Sequence, residues 1–190
     1  FTVFRHQPDV PYVLSSNDVQ VLYEDIRGDL WIGTDYGLNR FDRVHNDFKH
    51  YLHQADASGS ISDNYVGEII SDAKGRMWVG VGDGVLNLYQ ADQDNFQHFA
   101  EPDHQSNINE LHLANDGTIW VAFEDQSFFN FNPETGEFRE IIPRTEKEVI
   151  SIYQDATDRL WLGLDDGGLL IYDVKDGETQ LFQHDNQVLH

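Results

Sequence analysis

Apolar and polar residues alternate along this chain in short runs broken by Gly, Asp, Asn and Pro, and no apolar stripe of helical period persists between caps. The third quarter shows the pattern most cleanly. INELHLA (108–114) alternates, Asn115-Asp116-Gly117 turns the chain, and TIWVAF (118–123) follows. Asn-Asp-Gly between two apolar runs is a hairpin signal, because Asn, Asp and Gly accept the left-handed backbone that tight hairpin turns need. After a polar loop comes FFNFN (128–132), then Pro133 to Gly136 turn the chain into EFREII (137–142). The pattern predicts an all-β chain of antiparallel hairpins, four strands to a unit.

Some of these strands are apolar on both faces, as in Leu30-Trp31-Ile32 and Leu160-Trp161-Leu162. A sheet with one wet face does not tolerate this, so such strands need a neighbour on each side. The four tryptophans carry the repeat: GDLWIGT (28–34), GRMWVGV (75–81), GTIWVAF (117–123) and DRLWLGL (158–164). Trp31, Trp78, Trp120 and Trp161 stand 47, 42 and 41 residues apart. A period of that length with four strands per unit is the signature of β-propeller blades, small twisted sheets stacked face to face. Packing between blades is then the role of the four indoles, and the small residues two places on (Gly33, Gly80, Ala122, Gly163) allow close backbone approach in the same layer.

The expected organisation is an outer strand of a preceding blade and a linker over 1–16, blades over 17–63, 64–106, 107–146 and 147–185, and the start of a further blade over 186–190. FTVFRH (1–6) is assigned as a closing strand by analogy with DFKHYLH (47–53), NFQHFA (95–100) and ETQLFQH (178–184). With four blades already complete, that strand has no vacancy to fill. The segment is therefore expected to be a fragment of a larger propeller, of the seven-bladed type, with self-association as another way to cover open blade faces.

Composition narrows the function. Twelve basic against 34 acidic side chains leave a formal charge of −22, which excludes nucleic-acid binding through phosphate neutralisation. No cysteine is present, so disulfides, thiolate nucleophiles and cysteine metal sites are excluded together. Aromatics at 13% supply enough volume for a core and are too many for a disordered acidic tail. No apolar run approaches the roughly 18 residues of a spanning helix, so no direct membrane insertion is expected of this segment. FTVFRHQPDV opens without Met or a signal-peptide core, as in a mature protein or an excised piece.

Local catalytic and metal motifs are missing. There is no H-E-x-x-H, no G-x-S-x-G and no phosphate-cradling loop, and Gly82-Asp83-Gly84 reads as a turn. Asp173 to Glu178 resembles a calcium loop superficially, but Lys175 stands where an acidic or amide ligand is required. His50 and His53, three apart, point to opposite faces of a strand. No catalytic residue, metal or cofactor is expected.

The string EDIRGDLWIGTDYGLNRFD (24–42), echoed by SDAKGRMWVGVGDGVLNLYQ (71–90) and QDATDRLWLGLDDGGLLIYD (154–173), resembles the two-component-regulator propeller repeat. The resemblance runs over essentially the whole chain. The third repeat departs from it, with Ala122 for Gly and Gln126-Ser127 in the following loop. It implies an extracytoplasmic, periplasmic sensor portion of a bacterial receptor whose output is a histidine kinase or diguanylate cyclase.

Strand alternation places the loops between second and third strands on the same side as the linkers between blades. That side collects Asp35, Tyr36, Asp83, Asp125, Asp165 and Asp166, an acidic rim suited to cations or to sugars, with Tyr36 as a stacking surface. The same Asp and Gly residues also simply satisfy turn geometry. Three functions follow: a non-catalytic ligand-binding sensor for a small molecule or oligosaccharide; a scaffold contacting another protein, other blades or a second copy of the chain; and a propeller enzyme with Asp83 or Asp165 as base.

Overall fold

A computed structural model describes residues 2–101, 104–142, 145 and 147–183. The described residues form sixteen strands in four antiparallel four-stranded sheets, each a meander in chain order. The first blade comprises β1 (Val19–Glu24), β2 (Leu30–Thr34), β3 (Gly37–Asp42) and β4 (Asp47–Tyr51); the second, β5 (Val66–Ser71), β6 (Met77–Val81), β7 (Leu86–Gln90) and β8 (Asn95–Phe99). The third comprises β9 (Ile108–Leu113), β10 (Ile119–Phe123), β11 (Phe128–Asn132) and β12 (Glu137–Ile142); the fourth, β13 (Val149–Gln154), β14 (Arg159–Leu164), β15 (Gly168–Asp173) and β16 (Thr179–Phe182). Two compact units divide the chain, Phe1–Ile108 with the first two blades and Asn109–His190 with the last two.

In the first unit Trp31 is fully buried and shares one cluster with Leu38 and Tyr51 of its own blade and Val66, Ile69, Val79 and Phe96 of the next. In the second unit Trp120 and Phe128 pack against Val149, Ile152, Leu160 and Leu162 of the fourth blade. The two-faced apolar strands are thus explained: the Trp face of one blade is closed by the following sheet. The opposite face of the first blade stays open, with Leu14, Ile32, Phe41 and Phe48 behind a shallow apolar groove and Leu22 65% exposed.

Three of the four tryptophans are set by an aspartate six residues earlier. The indole Nε1 of Trp31 donates to Asp25 Oδ2 at 3.0 Å, Trp78 to Asp72 at 3.0 Å, and Trp161 to Asp155 at 2.9 Å. The other oxygen of each carboxylate accepts two backbone N–H groups of the intervening turn, Arg27 and Asp29, Lys74 and Arg76, or Thr157 and Arg159. Turn closure and indole orientation therefore share one side chain. In the third blade the position is Ala114, and the buried Nε1 of Trp120 has no hydrogen-bond partner among the described residues.

In the first unit a recurring clasp ties each blade to the linker that leads into it. Before the first blade, Tyr12 O accepts the N–H of Phe48, His50 Nε2 bonds Val13 O, and Asn39 binds Ser15. Before the second, Gly59 O accepts the N–H of Phe96, His98 Nε2 bonds Ser60 O, and Asn87 binds Ser62. The incoming linker thus runs along the outer strand of the blade it leads into.

Residues 2–6 depart from expectation: they carry no strand, because no partner strand lies beside them among the described residues. They keep the junction chemistry of a blade end nonetheless. His6 bonds Asn17 and Leu14 O as His53 bonds Asn64 and Ile61 O, and Phe4 meets Phe41 and Phe48 edge-on at 5.2 and 5.3 Å. The further strand expected at 186–190 lies outside the described residues.

Gly33 and Gly163 are not equivalent. A Cβ on Gly33 would stand 2.6 Å from Val21 and 2.7 Å from Val66, whereas one on Gly163 would meet Ser151 Cβ at 3.4 Å.

Two outcomes follow for unfolding measured by denaturant titration. Asp72→Ala, which strips a buried acceptor from Trp78 Nε1, Arg76 Nε and two backbone N–H groups, is expected to cost about 3 kcal/mol or more, while Ala114→Asp stabilises by about 1 kcal/mol by pairing the Trp120 indole. Gly33→Ala is expected to cost about 1–3 kcal/mol through overpacking, with Gly163→Ala close to neutral.

Candidate functional site

The acidic loops are built by turn chemistry. Asp35 and Tyr36 form the two-residue connection between β2 and β3, where the buried Thr34 Oγ1 accepts the Tyr36 N–H and donates to Gly37 O. Gly37 adopts φ +107° and abuts Leu52, which no side chain at that position would allow. Tyr36 stands 56% exposed and Asp35 is exposed beside it. In the second blade Asp83 is half-buried and its Oδ1 accepts from Ser62 Oγ and the Val85 N–H, both at 3.2 Å.

The second unit repeats the arrangement with other residues. Asp125 Oδ1 accepts the backbone N–H and hydroxyl of Ser127, and Asp165 and Asp166 are exposed, Asp166 at φ +48°. Linkers adjoin these loops in each blade: Asp35 N–H bonds Asp18 O, Gly82 N–H bonds Tyr65 O, Thr145 N–H bonds Gln126 O and Asp165 N–H bonds Glu148 O. The structure therefore groups Asp35, Tyr36 and Asp83 on the loop side of the first unit, and Asp125, Asp165 and Asp166 on that of the second. Asp83 and Asp125 are engaged in capping turns; Asp35, Tyr36, Asp165 and Asp166 present open side chains.

Sequence reasoning missed a second group on the opposite side of the first unit. Tyr51 and Tyr89 donate to Asp94 Oδ1 at 2.7 and 2.6 Å, Lys49 pairs with Asp94 Oδ2, and Arg40 donates to Tyr89 Oη at 3.2 Å while stacking over Trp31. Burial opposes ionisation of Asp94, but the bonds from Lys49, Tyr51 and Tyr89 outweigh it and hold the carboxyl at about 2. Burial, followed by the bond to Asp94, pushes the Tyr51 phenol well above its ordinary value, so it stays a donor. Of these residues only the aromatics near the ends of strands carry a sequence signal.

Beside this group, the β3–β4 turn brings ligand atoms of Asp42, His45 and Asp47 within 4.8 Å of one another. A D-x-x-H-x-D spacing was the available signal. Asp42 is already occupied: Oδ1 accepts the N–H groups of Val44 and His45, and Oδ2 meets His45 Nδ1 at 2.7 Å. Those bonds, His45 first, hold Asp42 at about 2, and the His45 pKa is raised by the same contact. The trio shares its cavity with Arg27, Arg40, Arg43 and Lys49, whose charge disfavours a further cation.

The family model described as two component regulator propeller matches residues 13–36, from the first clasp through β1 and β2 to Tyr36. The search of curated proteins found no match. Among solved structures, the extracellular domain of the putative hybrid two component system BT4673 from B. thetaiotaomicron is 21% identical with a TM-score of 0.79, covering 97% of this chain. That of BT3049 from the same organism is 20% identical with a TM-score of 0.76 and the same coverage. Virginiamycin B lyase from Staphylococcus aureus is 17% identical with a TM-score of 0.67 over 87% of this chain. The chain spans 24% of the length of each B. thetaiotaomicron domain and 55% of the lyase. The chain is a set of β-propeller blades, with the two component regulator propeller match confined to residues 13–36, and it is similar in fold to extracellular domains of putative hybrid two component systems. Among the described residues, no helix is long and apolar enough to cross a membrane.

The Asp94 cluster has a pH signature. An Asp is near 3.9 when unfolded, and a carboxyl held at about 2 in the fold contributes stability that is complete above about pH 4 and is lost as pH falls through about 2. Urea midpoints of the native chain and Asp94→Asn are expected to differ at neutral pH and to converge across that window.

Proposed function

We propose that the chain is a segment of the periplasmic sensor propeller of a bacterial two-component or diguanylate-cyclase receptor, and that it binds ligand without catalysing a reaction. The observation that carries this reading is the fold match of 97% of the chain to extracellular domains of hybrid two component systems. The repeat match at 13–36 supports it from the sequence side.

The ligand surface in this reading is the loop side, where Asp35 and Tyr36 in the first unit and Asp165 and Asp166 in the second leave carboxylates and an aromatic ring open to solvent. An exposed ring beside a carboxylate is the pairing that holds a sugar, one face stacked and its hydroxyls donating to the carboxylate. A neutral oligosaccharide is the favoured ligand class. Asp83, the alternative base of a propeller enzyme, instead caps its own loop through Ser62 and Val85.

Thermal unfolding in the presence of neutral oligosaccharides tests the reading. A cognate sugar at about a hundred times its Kd adds about 2.7 kcal/mol, seen as a raised Tm without product formation, and Tyr36→Ala with Asp35→Asn removes the shift. Turnover that is lost in Asp83→Asn would replace the sensor by an enzyme. A defined protein complex with no response to any sugar would replace it by a scaffold.

A further inference from the structure

Cations are scarce in this chain, and they are not scattered. Of its 12 Lys and Arg residues, Arg27, Arg40, Arg43 and Lys49 line a single cavity of about 910 Å³ in the first unit, and Arg76 lines an adjoining cavity of about 390 Å³ that shares Arg27 and Arg40. The larger cavity lies within the range of small-molecule sites, about 300–1,000 Å³. It opens at the β1–β2 and β3–β4 turns, on the side of the sheet opposite the Asp35–Tyr36 loop.

Several of these cationic groups retain donors. The Arg27 guanidinium makes no hydrogen bond or ion pair with any described residue. Arg43 directs Nε to Gly28 O at 3.2 Å and has only a long, exposed pairing with Glu24 at 3.6 Å. Arg40 gives one bond to Tyr89 and lies 3.9 Å from Asp29. Guanidinium forks match oxyanion groups in two-point fashion, which an ammonium does not.

Three carboxylates share the cavity: Asp42 is held by His45 and two turn N–H groups, Asp47 lies within 4.8 Å of that pair, and Asp29 stands 3.9 Å from Arg40. At the rim Tyr12 is 66% exposed and sits at φ +62°, a left-handed backbone that costs energy for a residue with a bulky side chain. The chain's overall negative charge repels anions at long range, but salt screens that repulsion beyond about 8 Å, so contacts inside the cavity decide.

We propose that this cavity binds a small molecule bearing two or more oxyanion groups, carboxylate or sulfate, through the guanidinium forks of Arg27, Arg40 and Arg43 with Lys49 at its side. The site is separate from the loop-side surface, and its test does not depend on the sensor reading.

Isothermal titration of the full chain with citrate and with sucrose octasulfate tests it, with acetate and sucrose as single-charge and neutral controls, all at matched ionic strength. Binding of at least one polyanion, and not of the controls, is expected, and the polyanion that binds identifies the oxyanion. Arg27→Ser with Arg43→Ser should weaken that binding about tenfold or more with the circular dichroism spectrum and Tm retained, while Arg27→Lys, which keeps the charge and loses the fork, should weaken it less. Absence of binding by both polyanions, equal binding by the double variant, or reproduction of the heat by sodium chloride alone would overturn the proposal.

Discussion

The bond from a tryptophan indole to the aspartate six residues before it is the constraint on which three of the four blades turn. One carboxylate closes the first hairpin through its backbone N–H bonds and, with its other oxygen, fixes the indole that fills the space against the next sheet. Hairpin geometry and blade stacking are thereby coupled: an indole out of register would also open the turn. The third blade keeps the geometry without the bond. There Trp120 stacks parallel to Phe128 at 5.6 Å, and Asn115 reaches into the fourth blade to bond Gln154, Asp155 and Asp158. In that blade the indole is held by packing alone, and Asn115 ties the turn to the fourth blade.

Topology sorts chemistry onto the two ends of a meander. Because strands alternate in direction, connections between second and third strands emerge with the linkers, while the hairpins on either side emerge at the other end. In the first unit the linker end displays Asp35, Tyr36 and Asp83, and the hairpin end gathers Arg27, Arg43, Lys74 and Arg76. A chain of strongly negative composition thus gathers several of its few cations, interleaved with aspartates, at one end of a unit without any basic run in its sequence.

The fold was legible because its determinants are local. Periodic tryptophans, alternating strands and Asp-Gly turns lie within a few residues of one another, and four blades of four strands follow from them. The aspartate of each Asp–Trp pair was visible in EDIRGDLW, SDAKGRMW and QDATDRLW, but its role needs the three-dimensional return of the hairpin. FTVFRH was readable as a blade end, and His6 and Phe4 do make the contacts of one; whether such a segment is a strand depends on a neighbouring strand, which its own residues do not encode. The acidic loop residues were placed by strand counting alone. Lys49 and Tyr51 of the first blade and Tyr89 and Asp94 of the second form two local pairs that meet only because two sheets stack, so no spacing rule would have joined them.

The clasp between linker and outer strand has a consequence for how the chain divides. Ser60 O meets His98 and Val13 O meets His50, so both linkers of the first unit are held by the last strand of the blade that follows them. The cooperative module is therefore offset from the sequence repeat, running from about Tyr12 to Tyr51 and from about Gly59 to Phe99. A transplant or permutation cut just before β1 or β5 would sever each clasp from its strand. Cuts in the segment between Tyr51 and Gly59 leave both modules whole, and domestication of these blades as interchangeable parts should follow those seams.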